Sequence, residues 1–598
     1  NYVRQVLDAK ADEMCNATQT IQNALSPVSL HALHALTHYS VQCHADHLCR
    51  QVYPSDSRAA LTKIDAALAE CIKASHGRGG AIVAADPIAQ RRLRLPIRRF
   101  GLGFRSRVDL ADAAFVSAAC AALPTMLKRR TLHGGTIPGF LPALEPVFGA
   151  GAFDDANLLQ RFQGLLTTSS ALPLAKEFDG AWTRLQHDHA ATVGRPTTSG
   201  PLAAPVEAAG VNVADLLPYA KLQKAITKQR EDDRALQLES EIRRLPHDDP
   251  RKAAYLVADR MGLSWARTWP TAGLKIGNSD FAEIVTTTFG LASPACAPFV
   301  GQSILKSPAT LDPHGHILLS HNQLVNRDSA RSTMHDALLF SLSEALHEGG
   351  VQHDVEPRFL FAAVAPPSFW RLAPTTSSQI IPDLAVRGPN GTPTPGNKEL
   401  HDVKTICHSN TRYKEAWVTG RRDARGVPAA KPVDVRASHV SSEYISHARH
   451  FDRTHVGTSS STTGPFEQRL AEFGQVQGLV FGHYGECSSS VRALVRRIAK
   501  EIALKTGLHE GARSIPEAIA AQTERLYRTL SITCHRERAQ IVQANLMYVG
   551  NGSTANGVQR NLHHRQARFA ARRAAYRDHT AGGPSVSPPF RGGGPFGG

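Results

Sequence analysis

A mainly α-helical N-terminal region followed by an α/β domain is what this sequence predicts, and three observations predict it. Apolar residues recur at helical spacing through roughly the first 290 positions. From Val351 onward, short runs rich in Val, Ile, Leu and Phe, bounded by Gly, Pro and Asn, are interleaved with helical stretches, the pattern of an α/β unit. Beyond Arg560 a run of arginines gives way to Pro and Gly as far as Gly598, a composition that buries no core and predicts a disordered basic tail.

The N-terminal elements follow in order. Val6, Ile21 and Leu25 open the helical pattern, a His-rich run follows from Leu30 to Leu48, and Ile64 and Leu68 share one helix face in the stretch Leu61 to Ile72. His31, His34, His38, His44 and His47 invite a metal reading. Their spacing of three and four, without carboxylate or cysteine partners, reads instead as partly buried or solvated histidines on a helix. Leu95 to Gly103 is a turn, and an alanine-rich helix resumes from Asp109 to Met126. Lys221 to Arg244 mixes charges of both signs and reads as a helix with a solvated face.

In the α/β part, helix 332–347 precedes strands near 351–361, 379–386 and 400–406; helix 437–451 and a strand at 475–481 complete the order αβββαβ. The organisation expected is a helical region at 1–130, a helical connecting region at 131–290, a Cys/His-bearing segment at 291–330, the α/β domain at 331–505, C-terminal helices at 506–558 and the tail at 559–598.

Composition limits the function classes. A chain of 598 residues exceeds a single small binding module, and Lys plus Arg outnumber Asp plus Glu by 68 to 52, which favours polyanionic partners. Nine cysteines without a CxxC pair are poor material for a disulfide scaffold. The apolar stretch from Ala113 to Leu127 is too short to span a bilayer, so no membrane partner is expected. The chain begins at Asn1 and reads as a piece of something longer.

One segment assembles the groups for phosphodiester hydrolysis. Asp383 follows Pro382 in the only Pro-Asp of the sequence, and 19 positions later Asp402-Val403-Lys404 lies in an apolar run. Side chains two apart on a strand share a face, so Asp402 and Lys404 project together, and a hairpin over 387–397 brings Asp383 alongside. Two carboxylates with the Val403 carbonyl make an oxygen-rich seat for Mg²⁺ or Mn²⁺. Such an ion acidifies water and neutralises phosphate charge, and Lys404 orients the attacking water. The competing reading is an ordinary charged pair on a strand surface. Tyr444 lies on the apolar face of its helix with Val440, Ala448 and Phe451 and reads as core.

The αβββαβ order around Pro382-Asp383 and Asp402-Val403-Lys404 resembles the core of PD-(D/E)xK restriction-like nucleases. That resemblance implies a further acid, Glu356 in preference to Glu344. Larger blocks resemble the region after the polymerase in reverse transcriptases of retrotransposons lacking terminal repeats: Leu95-Pro96-Ile97-Arg98 through Gly101-Leu102-Gly103 to Phe115-Val116-Ser117, then Trp265 and Trp269-Pro270, then His335-Asp336, then Glu443-Tyr444 and Gly478 to Glu486. Phe100 stands where that family usually has a glycine. Cys296 and the Leu311 to Ser320 segment resemble its Cys/His knuckle, with Cys296, His314, His316 and His321 as the available Zn²⁺ ligands, against a histidine-bearing turn without metal.

The resemblance implies a Mg²⁺-dependent endonuclease that nicks target DNA in the nucleus to prime reverse transcription, with element RNA as a further partner. No polymerase motif is present: Phe153-Asp154-Asp155 lacks the intervening residue, so the polymerase portion of the polyprotein is expected elsewhere. Lys414, Arg421, Arg422, Arg425 and Lys431 would steer phosphates near the site. The non-enzymatic alternative is an inactive, basic nucleic-acid-binding remnant, and a second is a helical scaffold with an incidental α/β domain.

Overall fold

The computed structural model describes residues 2–119, 222–304, 309–320, 330–366, 380–388, 398–408, 430–506 and 511–550, with scattered positions between 176 and 187 and at 413, 567 and 571. Apart from positions 567 and 571 the basic tail lies outside these residues, as do Phe153-Asp154-Asp155, His321, Lys414 and the loop arginines at 421, 422 and 425. The described residues are mainly helical with one small mixed sheet, and the chain divides into two compact units, residues 1–255 with 266–291, and residues 256–265 with 292–598. Among the described residues no helix is long and apolar enough to cross a membrane.

The first unit is helical. Helix Tyr2–Leu25 places Leu7, Ala11 and Met14 against Leu61 and Ile64 of helix Pro54–Ser75. Helix Leu30–Tyr39 starts at Ser29, whose side chain accepts from the Ala32 amide. The histidines of the run are divided: His31 and His34 are buried, paired to the carbonyls of Thr268 and Ala266 at 2.8 and 3.2 Å, with His31 stacked on Phe281, whereas His38 is half-buried and His44 and His47 are exposed.

Helix Leu222–Arg244 departs from expectation in part. Glu231 and Asp233 are buried, and the Arg98 and Arg99 guanidinia reach Glu231 and Asp232 at 2.8 Å each. Lys224, Lys228, Arg243 and Arg244 form the solvated face expected, while Glu231 and Asp232 are partners for a distant turn. In that turn Phe100 adopts φ 62°, the left-handed region where glycine is usual, and a side chain on Gly101 would strike the Leu95 and Arg92 carbonyls.

The second unit holds the sheet. Strands β1 (His353–Val355), β2 (Leu384–Arg387), β3 (Lys398–Thr405) and β4 (Gln477–Phe481) lie in the order 1-2-3-4. The first two pairings are antiparallel and β3 runs parallel to β4, so a crossover containing helix Pro432–Phe451 joins them.

Helix Ala330–Glu348 precedes β1. The strands at 353–355 and 384–387 are shorter than the apolar runs suggest: β1 stops where Glu356 turns to φ 45°, and β2 begins only after Pro382, which has no amide proton for a ladder.

Alternation along the strands sorts side chains into two cores. Leu384, Val386, Val403, Leu479 and Phe481 face one, with Leu338 and Leu342 of helix Ala330–Glu348 and Leu530 of helix Ile515–Asn545. Ala385 and Leu400 face the other, with Val440, Tyr444 and Phe466. Asp402 and Lys404 share the face of Leu400.

Candidate active site

The antiparallel register Leu384↔His401 sets Asp383, one residue before β2, level with Asp402. The Val403 amide donates to Asp383 Oδ2 at 2.7 Å, and Lys404 Nζ lies 2.7 Å from Asp402 Oδ2. Asp383, Asp402 and Lys404 are therefore brought together at the junction of β2 and β3. Glu356 joins them through its backbone, its amide donating to the Asp383 carbonyl at 2.9 Å. Val403, expected to offer its carbonyl, contributes its amide.

Two further side chains close on the carboxylates. His335 Nε2 is 2.9 Å from Asp383 Oδ2 and its Nδ1 is 3.0 Å from Asp336 Oδ1, so the ring bridges two acids. The Tyr444 hydroxyl donates to Asp402 Oδ1 at 2.8 Å, with the Ile381 carbonyl at 3.2 Å. Tyr444 is buried as its apolar helix face required, yet its hydroxyl holds a site oxygen. The sequence offers His335-Asp336 only as part of a resemblance. Its one local signal is a His-Asp pair in the early part of the helix before β1.

These interactions drive the two carboxylates apart electrostatically. Burial, and then the neighbouring Asp383 charge, push the Asp402 carboxyl up to about 6. Burial also works against ionised Asp383, but His335 and Lys404 outweigh it and hold that carboxyl far below the usual range. For His335, burial alone would favour the neutral ring; Asp383 and Asp336 reverse this and raise it to about 10. The Lys404 ammonium is likewise held charged against burial, by Asp402 and Asp383.

Does this donor set suit a divalent cation? Asp402 Oδ2 is buried without a hydrogen-bond donor in good geometry, only the Lys404 ammonium beside it, and it lies near a second carboxylate. Two hard carboxylate oxygen donors side by side fit Mg²⁺ or Mn²⁺, although His335 and Lys404 already offset their charge. Among the described residues no three His, Cys, Asp or Glu side chains stand at full ligating spacing, so two protein carboxylates and solvent would make up the shell.

Of the knuckle's expected ligands His321 lies outside the described residues, and among the described residues no three His, Cys, Asp or Glu could hold a metal ion together. Cys296 is buried beneath Gly315, where an added Cβ would lie 2.8 Å from its sulfur. His314 stacks on His316, which meets His408 and His483 with ring centres 4.3 and 4.9 Å away. Burial depresses His316, His408 and His483 and keeps the rings neutral. Lys431, from the basic loop, donates to the Val257 carbonyl at 3.2 Å.

Compared with known protein families, curated proteins and solved structures, the chain matches none.

Proposed function

We propose that residues 331–505 form a Mg²⁺- or Mn²⁺-dependent DNA endonuclease of the restriction-like kind, belonging to a retrotransposon-type polyprotein whose polymerase lies elsewhere. The meeting of Asp383, Asp402 and Lys404 carries this reading.

Asp383 and Asp402 would hold the cation, which when bound supplies Lewis acidity to the scissile phosphate. The chain's own groups prepare the rest. His335 and the Val403 amide fix Asp383 by one oxygen, leaving Oδ1 for other work. Tyr444 fixes Asp402 in the same way. The Lys404 ammonium, anchored at Asp402, orients the attacking water and opposes its reprotonation. Hydrolysis breaks a phosphodiester P–O bond and leaves a 3′ hydroxyl from which a polymerase can extend.

The excess of 68 basic over 52 acidic residues favours one second reading, an inactive nucleic-acid-binding remnant. Nicking of supercoiled plasmid separates the two. The endonuclease reading expects nicked circles with Mg²⁺ or Mn²⁺, none with EDTA and none from Asp383→Asn. Binding without nicking, unaltered by Asp383→Asn, supports the remnant.

A further inference from the structure

In the first unit, a cavity of about 260 Å³ opens between helix Leu222–Arg244 and the stretch from Arg91 to Leu110. Five arginines line it: Arg91, Arg94, Arg105, Arg230 and Arg234. Two acids face them, and both are engaged in the wall. Asp109 takes Arg234 at 2.8 Å, and Glu231 takes Arg98 and Arg105 at 2.8 and 2.7 Å. Arg91 is also paired to Glu241, so against these five arginines stand three acids, and an excess of two positive charges remains. Arg94 is exposed and forms no ion pair among the described residues.

A different kind of observation points the same way. The Thr227 hydroxyl, on the same wall, is buried without a hydrogen-bond partner, a donor that a bound oxygen would satisfy. A second cavity, of about 230 Å³, shares Arg94, Arg105 and Ser106 with the first; it adds Lys73 and Gln90 and also the acids Asp65 and Glu70, of which Glu70 pairs with Lys73 at 3.4 Å and Asp65 takes the Ser106 hydroxyl at 2.5 Å. Read together, the two cavities make a track along Arg94 and Arg105, with its cationic excess in the first. Guanidinium forks match phosphate oxygens two at a time, and contacts to phosphate carry no sequence information.

We propose that this track binds the phosphodiester backbone of single-stranded nucleic acid, independently of sequence. Cavities of about 260 and 230 Å³ are on the scale of single nucleotide units. This inference does not rest on the nuclease reading, because the track belongs to the other compact unit.

The test is fluorescence anisotropy of a labelled 20-nucleotide RNA, and of the DNA of the same sequence, with the full chain in EDTA over a salt series. Every single-strand phosphate that a cation no longer neutralises lowers the slope of log K against log salt by about 0.7. Arg91→Gln/Arg94→Gln is expected to lower it by about 1.4 and weaken binding roughly 10-fold near 0.15 M salt, for RNA and DNA alike. Arg91→Lys/Arg94→Lys keeps most of the slope, and Arg453→Gln, an exposed arginine of the other unit, leaves affinity within twofold of wild type. An unchanged slope in the Gln pair overturns the proposal. So does an equal loss from Arg453→Gln, or tripolyphosphate binding as tightly as the oligonucleotide. Thermal melting of each variant separates misfolding from a genuine loss of phosphate binding, and nicking activity is not part of the readout.

Discussion

Replacing His335 with alanine removes two interactions at once, the 2.9 Å bond to Asp383 and the 3.0 Å bond to Asp336. Hydrogen bonds to charged groups contribute about 1.5–3 kcal/mol each, and stripping a buried charge of its partner costs about 3–5 kcal/mol. Asp383 is 9% exposed and keeps the Val403 amide, which places the expected loss near the lower end, about 3 kcal/mol.

The sign with pH is definite. The folded-state value, raised to about 10, exceeds that of the unfolded chain, so the stabilisation is complete below pH 6.5 and disappears as pH rises through 10. Urea denaturation of wild type and His335→Ala at pH 6, 8 and 10.5 measures it directly. The gap between the two midpoints should be widest at pH 6 and nearly closed at pH 10.5. Nicking should fall on the order of 100-fold at pH 7.5, because a carboxylate without its anchor no longer holds its place. Equal midpoints at pH 6 together with unchanged nicking refute the reasoning.

Lys404→Met should lower nicking by at least about 100-fold while DNA affinity, read by anisotropy, stays within about twofold, since the ammonium acts on water more than on binding. Tyr444→Phe leaves the Asp402 Oδ1 atom without its donor and should cost about 1–3 kcal/mol in a urea titration; an unmoved midpoint contradicts the bond. His408 is held down to about 4 by burial, with His314 adding to it, so the unfolded chain takes up its proton first and stability falls as pH drops from 6.5 to 4. Wild type should accordingly lose about 3 kcal/mol more than His408→Gln over that interval, and parallel curves would show that the ring does not titrate there.

Local patterns make part of the site legible. The two-residue period of a strand puts Asp402 and Lys404 on one face, and the hairpin brings Asp383 level with them. His335 and Tyr444 reach those groups across 48 and 42 residues of chain, through helices docked on the sheet, and no spacing rule encodes docking. Tyr444 reads as core because it is core at every atom but one. The acids of helix Leu222–Arg244 mislead for the same reason: their partners sit in a turn more than 100 residues earlier, and alternating signs along a helix look alike with or without them. Apolar runs overstate the strand lengths because they continue past Glu356 and before Pro382, where backbone conformation ends the ladder.

The division of β3 between two cores bears on how this domain tolerates insertions and deletions. Added residues between 388 and 397 lengthen a connection and leave the pairing of Leu384 with His401 intact. A single residue gained or lost inside Lys398–Thr405 turns the ribbon over: Val403 would then meet the helix that carries Tyr444, and Asp402 would be driven into leucines. Descendants of this chain should therefore vary freely in hairpin length while the eight residues of β3 drift only by substitution.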